Sequence, residues 1–94
     1  AKVTFTKPEL VAKANGTSVN LSWDKVEGVT HYEVYRSTLK DSKFVKYVTT
    51  KENKAVINSL KSGKTYYFKV IGYKTYNDIQ VYSPSSDTKK VTIQ

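Results

Sequence analysis

The stretch from Leu60 to Gly72 constrains the fold of this chain more than any other part of the sequence. It holds a turn signal, Ser62-Gly63-Lys64, and then an aromatic-rich run that alternates from Tyr66 onward. Successive side chains of a β-strand point to opposite faces of the sheet. We therefore predict the central strand of a β-sandwich, with a turn closing one end of the core. The residues on its inward face would be Tyr66, Phe68, Val70 and Gly72.

The length and the cysteine content limit how such a fold is held together. The chain has 94 residues, no cysteine and one histidine, which predicts a single domain without disulfides or structural zinc. Stability must then come from buried apolar and aromatic side chains. No stretch approaches the ~18 apolar residues of a membrane span, so we expect no membrane insertion. We also expect no cofactor.

The charge balance is strongly basic, with 16 Lys and Arg against 8 Asp and Glu and a net charge of +8. Such a balance attracts acidic polymers and phosphates. The lysines are scattered from Lys2 to Lys90, however, and only Arg36 carries the planar guanidinium that reads bases. Scattered lysines serve solubility and keep sheet edges from pairing, so no nucleic-acid partner is predicted.

Short alternating segments separated by turn signals predict seven strands and no helix. Residues 1–8 are interpreted as a linker or an N-terminal edge segment, and the domain is expected to span 9–94. The inward or outward phase of residues 44–48 cannot be settled from the sequence. The predicted strands are Leu10–Ala14, Ser18–Trp23, Tyr32–Arg36, Phe44–Val48, Ala55–Asn58, the Tyr66–Tyr76 run, and a last strand from Ile79 to Ile93.

The last two strands carry specific turn chemistry. Asn77-Asp78 is suited to a two-residue hairpin turn, which would place Tyr73 opposite Tyr82 and Tyr76 opposite Ile79. Pro84 cannot donate a ladder hydrogen bond. It therefore forces a bulge or an edge position in the last strand.

Several of these residues together resemble the fibronectin type III family. Trp23 after Val19-Asn-Leu21, the Tyr32-Glu-Val34-Tyr35 strand, and Leu60, Gly63 and Tyr66 fall in family order and spacing. The resemblance implies an all-β, seven-stranded antiparallel sandwich of immunoglobulin type, with strands A, B and E in one sheet and C′, C, F and G in the other. It also implies a tyrosine corner at Tyr66. The expected core is Trp23, Tyr32, Val34, Leu60, Tyr66, Phe68 and Val70.

Within that family, the segment 24–38 is similar to domains attached to bacterial secreted enzymes and cell-surface proteins. The resemblance implies an extracellular location and neighbouring domains in the same polypeptide. No Arg-Gly-Asp triplet occurs in the chain, so the integrin-binding loop of some animal relatives is not carried over.

Catalytic chemistry finds little support in the sequence. His31 is the only histidine, so it has no partner for a triad or a metal site. The carboxylates are dispersed, and no pattern places Glu27 with Glu33, or Asp41 with Glu52, in a cleft. We therefore expect no enzymatic activity.

The outward face of the C, F and G strands is the candidate binding surface. Exposed aromatics on a flat sheet can stack on sugars or meet a protein partner. Cross-strand packing, in which tyrosine pairs stabilise the sheet, is the favoured interpretation. The residues concerned are Tyr35, Tyr67, Ile71, Tyr73 and Tyr82.

These observations predict a non-catalytic accessory module of a larger extracellular protein, monomeric in isolation. It would space or orient neighbouring domains, or mediate protein contacts. Two alternatives stay open at this point: a carbohydrate-binding module that uses the outer tyrosine face, and an adhesin fragment that recognises a host protein.

Overall fold

A computed structural model describes residues 5–40 and 42–93, which form eight β-strands and, within those ranges, no helix. Every strand pairing is antiparallel. The strands are β1 (Val11–Asn15), β2 (Ser18–Ser22), β3 (His31–Ser37), β4 (Val45–Thr50), β5 (Lys54–Ile57), β6 (Thr65–Tyr76), β7 (Ile79–Tyr82) and β8 (Lys89–Thr92).

The strands form two sheets that face each other across one core. One sheet has the order β1-β2-β5, and the other has the order β4-β3-β6, with β6 pairing both β7 and β8. The predicted all-β sandwich, with A, B and E in one sheet and C′, C, F and G in the other, is confirmed. All seven expected core residues are buried, and Val34, Phe68 and Val70 have no exposed surface.

The described part of the chain has eight strands rather than the seven predicted, because the last one is divided around Pro84. Ser83 and Ser86 bridge the gap. The N–H of Ser83 donates to the carbonyl of Gly72, and the N–H of Ser86 donates to the carbonyl of Val70, both at 2.8 Å. Their hydroxyl oxygens accept from the N–H groups of the same two residues, at 2.9 and 2.8 Å. The backbone groups on this side of β6 therefore stay hydrogen-bonded between β7 and β8, where the neighbouring strand is interrupted.

A β-bulge explains why the phase of residues 44–48 could not be settled. Val34 pairs with Val48, whereas Tyr35 pairs with Lys46, so Tyr47 has no partner in β3. A bulge inserts one residue and shifts the in–out alternation. A single in–out alternation therefore cannot describe the residues on both sides of Tyr47.

The predicted hairpin between β6 and β7 is confirmed. Tyr73 pairs with Tyr82, and Tyr76 pairs with Ile79. Asn77 and Asp78 have φ angles of 49° and 66°. Both lie in the left-handed region that a type I′ turn requires, and Asn and Asp tolerate that region better than most residues.

Trp23 and Tyr32 meet edge to face in the core, with ring centroids 5.4 Å apart. The hydroxyl of Tyr32 accepts a hydrogen bond from the N–H of Val26 at 2.9 Å, which ties the β2–β3 loop to the core. The indole Nε1 of Trp23 is buried without a hydrogen-bond partner among the described residues. Trp23 therefore stabilises the fold through packing area rather than through its polar atom.

The tyrosine corner lies at the start of β6. The hydroxyl of Tyr66 accepts a hydrogen bond from the N–H of Lys61 at 3.1 Å. Gly63 has a φ of 81°, which glycine adopts without steric cost, and its N–H donates to the carbonyl of Ile93 at 2.7 Å. The β5–β6 turn and the end of the described chain are thus joined.

The described part of the N-terminal segment packs on the sandwich. Phe5 contacts the core cluster, and Pro8 is fully buried. A Cβ placed on Gly28 would lie 2.9 Å from Phe5 Cε1, so Phe5 sits against the β2–β3 loop. Lys7 and Asp87 form an exposed ion pair at 3.0 Å. Residues 1–4, Asp41 and Gln94 lie outside the described residues, and with them part of the predicted N-terminal segment.

The two ends of the described chain lie at opposite ends of the sandwich. Phe5 is beside the β2–β3 loop, whereas Ile93 is bonded to the β5–β6 turn through Gly63 and Lys64. Leu60 in that turn donates to Thr17 in the β1–β2 turn at 3.0 Å, which is where β2 begins and thus opposite its β2–β3 end. The molecule extends 48 × 23 × 19 Å along its principal axes.

Candidate functional site

The outer face of the five-stranded sheet collects the residues predicted as a binding surface. Alternation along β3 and β6 brings cross-strand partners to this face in successive rows. The rows place His31 beside Tyr73, Glu33 beside Ile71, Tyr35 beside Lys69, and Ser37 beside Tyr67. The pairing of β6 with β7 adds Tyr82 beside Tyr73.

Three aromatic rings form a continuous row across this face. His31 stacks on Tyr73 with centroids 5.1 Å apart and planes 14° apart. Tyr82 packs on Tyr73 at 5.4 Å, tilted by 45°. Tyr73 is covered from both sides and is only 9% exposed, which differs from the expectation of an exposed ring. Tyr82, at 44% exposed, is the accessible member of the row, and the row resembles cross-strand packing more than an open platform.

Glu33 lies on the outer face beside Ile71, yet only 5% of it is exposed. The hydroxyl of Tyr35 donates to its Oε1 at 2.8 Å, and Lys46 Nζ lies 3.9 Å from its Oε2. A buried carboxylate needs such partners, because burial without them is costly. Glu33 therefore belongs to a polar network on the outer face of the sheet, and its carboxylate is engaged by Tyr35 and Lys46.

Tyr35 is held in its neutral form by the same network. The pKa of Tyr35 is raised to about 12, first by burial, then by the hydrogen bond to Glu33 and by the negative charge of that carboxylate. The pKa of Tyr82 is also raised, first by burial and then by the charge of Glu33. Neither phenol is thus activated as a base at neutral pH.

A shallow cavity of about 330 Å³ lies beside Tyr35, lined by Tyr35, Lys69, Ile71 and Ser85. The ammonium of Lys69 lies 4.4 Å from the centre of the Phe44 ring and 6.0 Å from that of Tyr35. This cation–π contact fixes the lysine across the face. The accessible part of the predicted surface is thus this cavity, exposed Tyr82 and half-buried Tyr67.

The residues weighed for catalysis are not brought together. Glu33 lies in the sheet, whereas Glu27 lies in the exposed β2–β3 loop, and Asp41 lies outside the described residues. His31 Nδ1 is 2.8 Å from Thr30 Oγ1, so its one close polar contact is a neighbouring hydroxyl. Within 5–40 and 42–93, no group of three or more His, Cys, Asp or Glu could hold a metal ion. A search of the same residues finds no helix long and apolar enough to cross a membrane.

Sequence reasoning missed a second pocket, at the end of the sandwich that carries the β3–β4 loop. It measures about 260 Å³ and is lined by Arg36, Ser37, Thr38, Lys43, Val45 and Tyr47. The signal was present in Arg36, the only arginine of the chain. Arg36 could not be assigned to this pocket from the sequence, because the pocket also needs Tyr47. The position of Tyr47 depends on a bulge that the residue pattern of β4 does not reveal.

Comparison with known proteins places the fold. The sequence profile of the fibronectin type III domain family matches residues 6–90, and no curated protein matches the sequence significantly. The sixth fibronectin type III domain of human fibronectin type III domain containing protein 3 is a similar structure. It has a TM-score of 0.79 and 15% identity, over 99% of this chain and 89% of that chain.

Two similar structures are parts of much longer polypeptides. The β-1,2-glucanase from Parabacteroides distasonis has a TM-score of 0.80 and 24% identity, over 96% of this chain and 13% of the enzyme. The twitchin kinase region from C. elegans has a TM-score of 0.75 and 19% identity, over 97% of this chain and 17% of that one. In both, a fold of this kind is one module among others.

Proposed function

The chain belongs to the fibronectin type III domain family, and from that premise we propose that it is a non-catalytic accessory module of a larger extracellular protein. Its role is to set the distance and orientation of the domains on either side of it. Family members occur as modules of multi-domain proteins, among them an enzyme and a kinase region.

The observation that carries this proposal is the position of the two chain ends. The described N-terminal residues pack beside the β2–β3 loop, whereas Ile93 is bonded to the β5–β6 turn at the opposite end. Strand β6 spans these ends from Thr65 to Tyr73, which pairs with His31 at the end of the β2–β3 loop. These nine residues give a length of about 30 Å at ~3.4 Å per residue. A domain attached at each end would thus be held apart by the length of a packed sandwich.

The chemistry of the surface supports the same role. The outer-face groups that could act as acid or base are engaged with one another, as in the Tyr35–Glu33 hydrogen bond. Lysines distributed over the exposed surface favour solubility of a module carried outside the cell. Neighbouring domains of the same polypeptide are therefore its first partners.

The spacing role is tested with two copies of the chain joined in tandem and studied by small-angle X-ray scattering. Ends at opposite poles predict a maximum dimension of about twice that of one copy, since modules then extend in line. The single copy is the control. A tandem no longer than one copy would show that the ends lie close together, and would contradict the proposal.

A second candidate function is contact with a protein or glycan through the outer face. The cavity beside Tyr35, lined also by Lys69 and Ile71, is the observation that favours it. Titration with soluble glycans, insoluble polysaccharides and candidate protein partners tests it, with Tyr35→Ser and Tyr67→Ser as variants. Saturable binding that both variants weaken supports the contact, and binding that neither changes rejects this face.

A further inference from the structure

The pocket at the β3–β4 end of the sandwich combines a cation with an accessible aromatic ring. The guanidinium carbon of Arg36 lies 4.6 Å from the centre of the Tyr47 ring and 5.7 Å from that of Tyr66. Tyr66 is anchored in turn by its bond to Lys61. Contact with two rings restricts the guanidinium group, whose N–H groups can pair with an anionic ligand.

The cation in this pocket has no ion-pair partner among the described residues. The two ion pairs found there involve Lys7 with Asp87 and Lys46 with Glu33, and neither includes Arg36 or Lys43. Lys43 lines the same pocket and has a φ of 58°, an unusual conformation for lysine. Such backbone conformations cluster at ligand sites, where the surrounding structure maintains them.

The wider surface at this end is basic. Exposed lysines occupy the β3–β4 loop at Lys40 and Lys43, and the β5–β6 turn at Lys61 and Lys64. The antiparallel pairing of Ser37 with Tyr67 brings that loop and that turn to the same end of the sheet. A concave site in a region of net positive charge raises the local concentration of anions.

The lining of the pocket is also apolar in part. Val45 is 67% exposed and Tyr47 is 45% exposed, so both offer apolar surface next to the guanidinium. A ligand that fits has an anionic group joined to a body with an apolar face. A sugar ring that carries a carboxylate has this combination, because its C–H face packs on an aromatic ring while its carboxylate pairs with arginine.

The bulge in β4 argues against an extended peptide at this edge. Tyr47 has no partner in β3, and the register shifts by one residue there. A bulged edge presents an irregular row of backbone groups, which disfavours addition of another strand. This favours recognition through the side chains of the pocket over pairing with the backbone of β4.

From these features we propose that the pocket of Arg36, Lys43 and Tyr47 binds a uronic acid unit of an acidic polysaccharide. Arg36 forms a two-point contact with the carboxylate, Lys43 adds a second cation, and Tyr47 packs on the ring. The neighbouring lysines attract further units of the same polymer. This site is separate from the Tyr35 cavity and does not depend on the spacing role.

The test is titration calorimetry of the whole chain with trigalacturonic acid at two salt concentrations. Saturable binding is expected, weakened by about tenfold or more in Arg36→Ala and Tyr47→Ser, and also weakened in Arg36→Lys, which keeps the charge but loses the planar fork. Lys51→Gln, a charge loss in the β4–β5 turn at the other end, is the matched control and should bind as the parent does. Thermal unfolding of each variant shows that the fold is retained.

Three comparison ligands make the result decisive. The methyl-esterified trimer lacks the charge and should not bind, and poly-glutamate lacks the sugar ring and should bind more weakly than the trimer. The affinity for dextran sulfate should fall equally in Lys51→Gln and Arg36→Ala. Absence of binding to trigalacturonic acid, equal binding of poly-glutamate, or equal losses in Arg36→Ala and Lys51→Gln for the trimer would each overturn the proposal.

Discussion

The hydroxyl of Ser86 accepts a hydrogen bond from the N–H of Val70 at 2.8 Å, while the N–H of Ser86 donates to the carbonyl of the same residue at 2.8 Å. One residue therefore satisfies both backbone groups of a core residue at a place where the neighbouring strand has ended. The side-chain oxygen replaces the ladder carbonyl that a regular strand would supply.

Replacement of Ser86 by alanine should lower the free energy of unfolding by ~1–3 kcal/mol, because it leaves the buried N–H of Val70 without an acceptor. Urea denaturation measures the change. Ser85→Ala is the matched control, since Ser85 is exposed and its loss should change stability little. Equal stability of the two variants would show that the Ser86 hydroxyl contributes nothing to the sheet.

Tyr66→Phe should also destabilise the fold by ~1–3 kcal/mol, because the N–H of Lys61 loses its partner at the corner. Urea denaturation measures the loss as a lower denaturant midpoint. Tyr67→Phe, at the half-buried neighbouring position on the other face, is the comparison. If both variants unfold at the parent's denaturant midpoint, the corner has no energetic role.

Trp23→Ala should cost ~3–5 kcal/mol, since a large buried ring is lost and a cavity remains. Trp23 is 3% exposed, and a loss of this size unfolds much of a small domain. Circular dichroism measures the folded fraction. Tyr82→Ala, at 44% exposed, should cost only ~0.2–1 kcal/mol as a cross-strand pair, and a larger loss there than at Trp23 would contradict the assignment of the core.

The raised pKa of Tyr35 predicts a loss of stability in alkali. Its phenol titrates at about 12 in the folded chain, against an ordinary value of 10.0. The folded state therefore holds the proton more tightly, and this contribution is complete below pH 10 and disappears as the pH rises toward 12. Denaturation curves between these pH values should show the parent losing stability relative to Tyr35→Phe. Parallel pH profiles of the two proteins would reject the network around Glu33.

The fold follows from the sequence to a large extent because its signals are local. Alternation in β2, β3 and β6 identified the core residues, and the Asn77-Asp78 turn fixed the register that pairs Tyr73 with Tyr82. Each of these signals depends only on residues a few positions apart. Local chemistry is therefore sufficient to predict them.

The parts that escaped prediction depend on residues distant in the chain. Pro84 indicated an interruption, but only the structure shows that Ser83 and Ser86 bridge it to β6. Tyr73 is on the predicted face, yet His31 and Tyr82 cover it from neighbouring strands. The burial of Glu33 and the pocket at Arg36 likewise depend on partners that sequence spacing does not reveal.

The central claim is that a rigid sandwich holds its two ends apart, and the most direct test is a distance measurement between spin labels. The chain has no cysteine, so Glu27→Cys in the β2–β3 loop and Ser62→Cys in the β5–β6 turn can be labelled without further changes. Both positions are exposed. Double electron–electron resonance should give one narrow distance distribution on the order of 30 Å, as the length of β6 from Thr65 to Tyr73 implies, and urea should broaden it. A broad or bimodal distribution in native buffer would contradict the account.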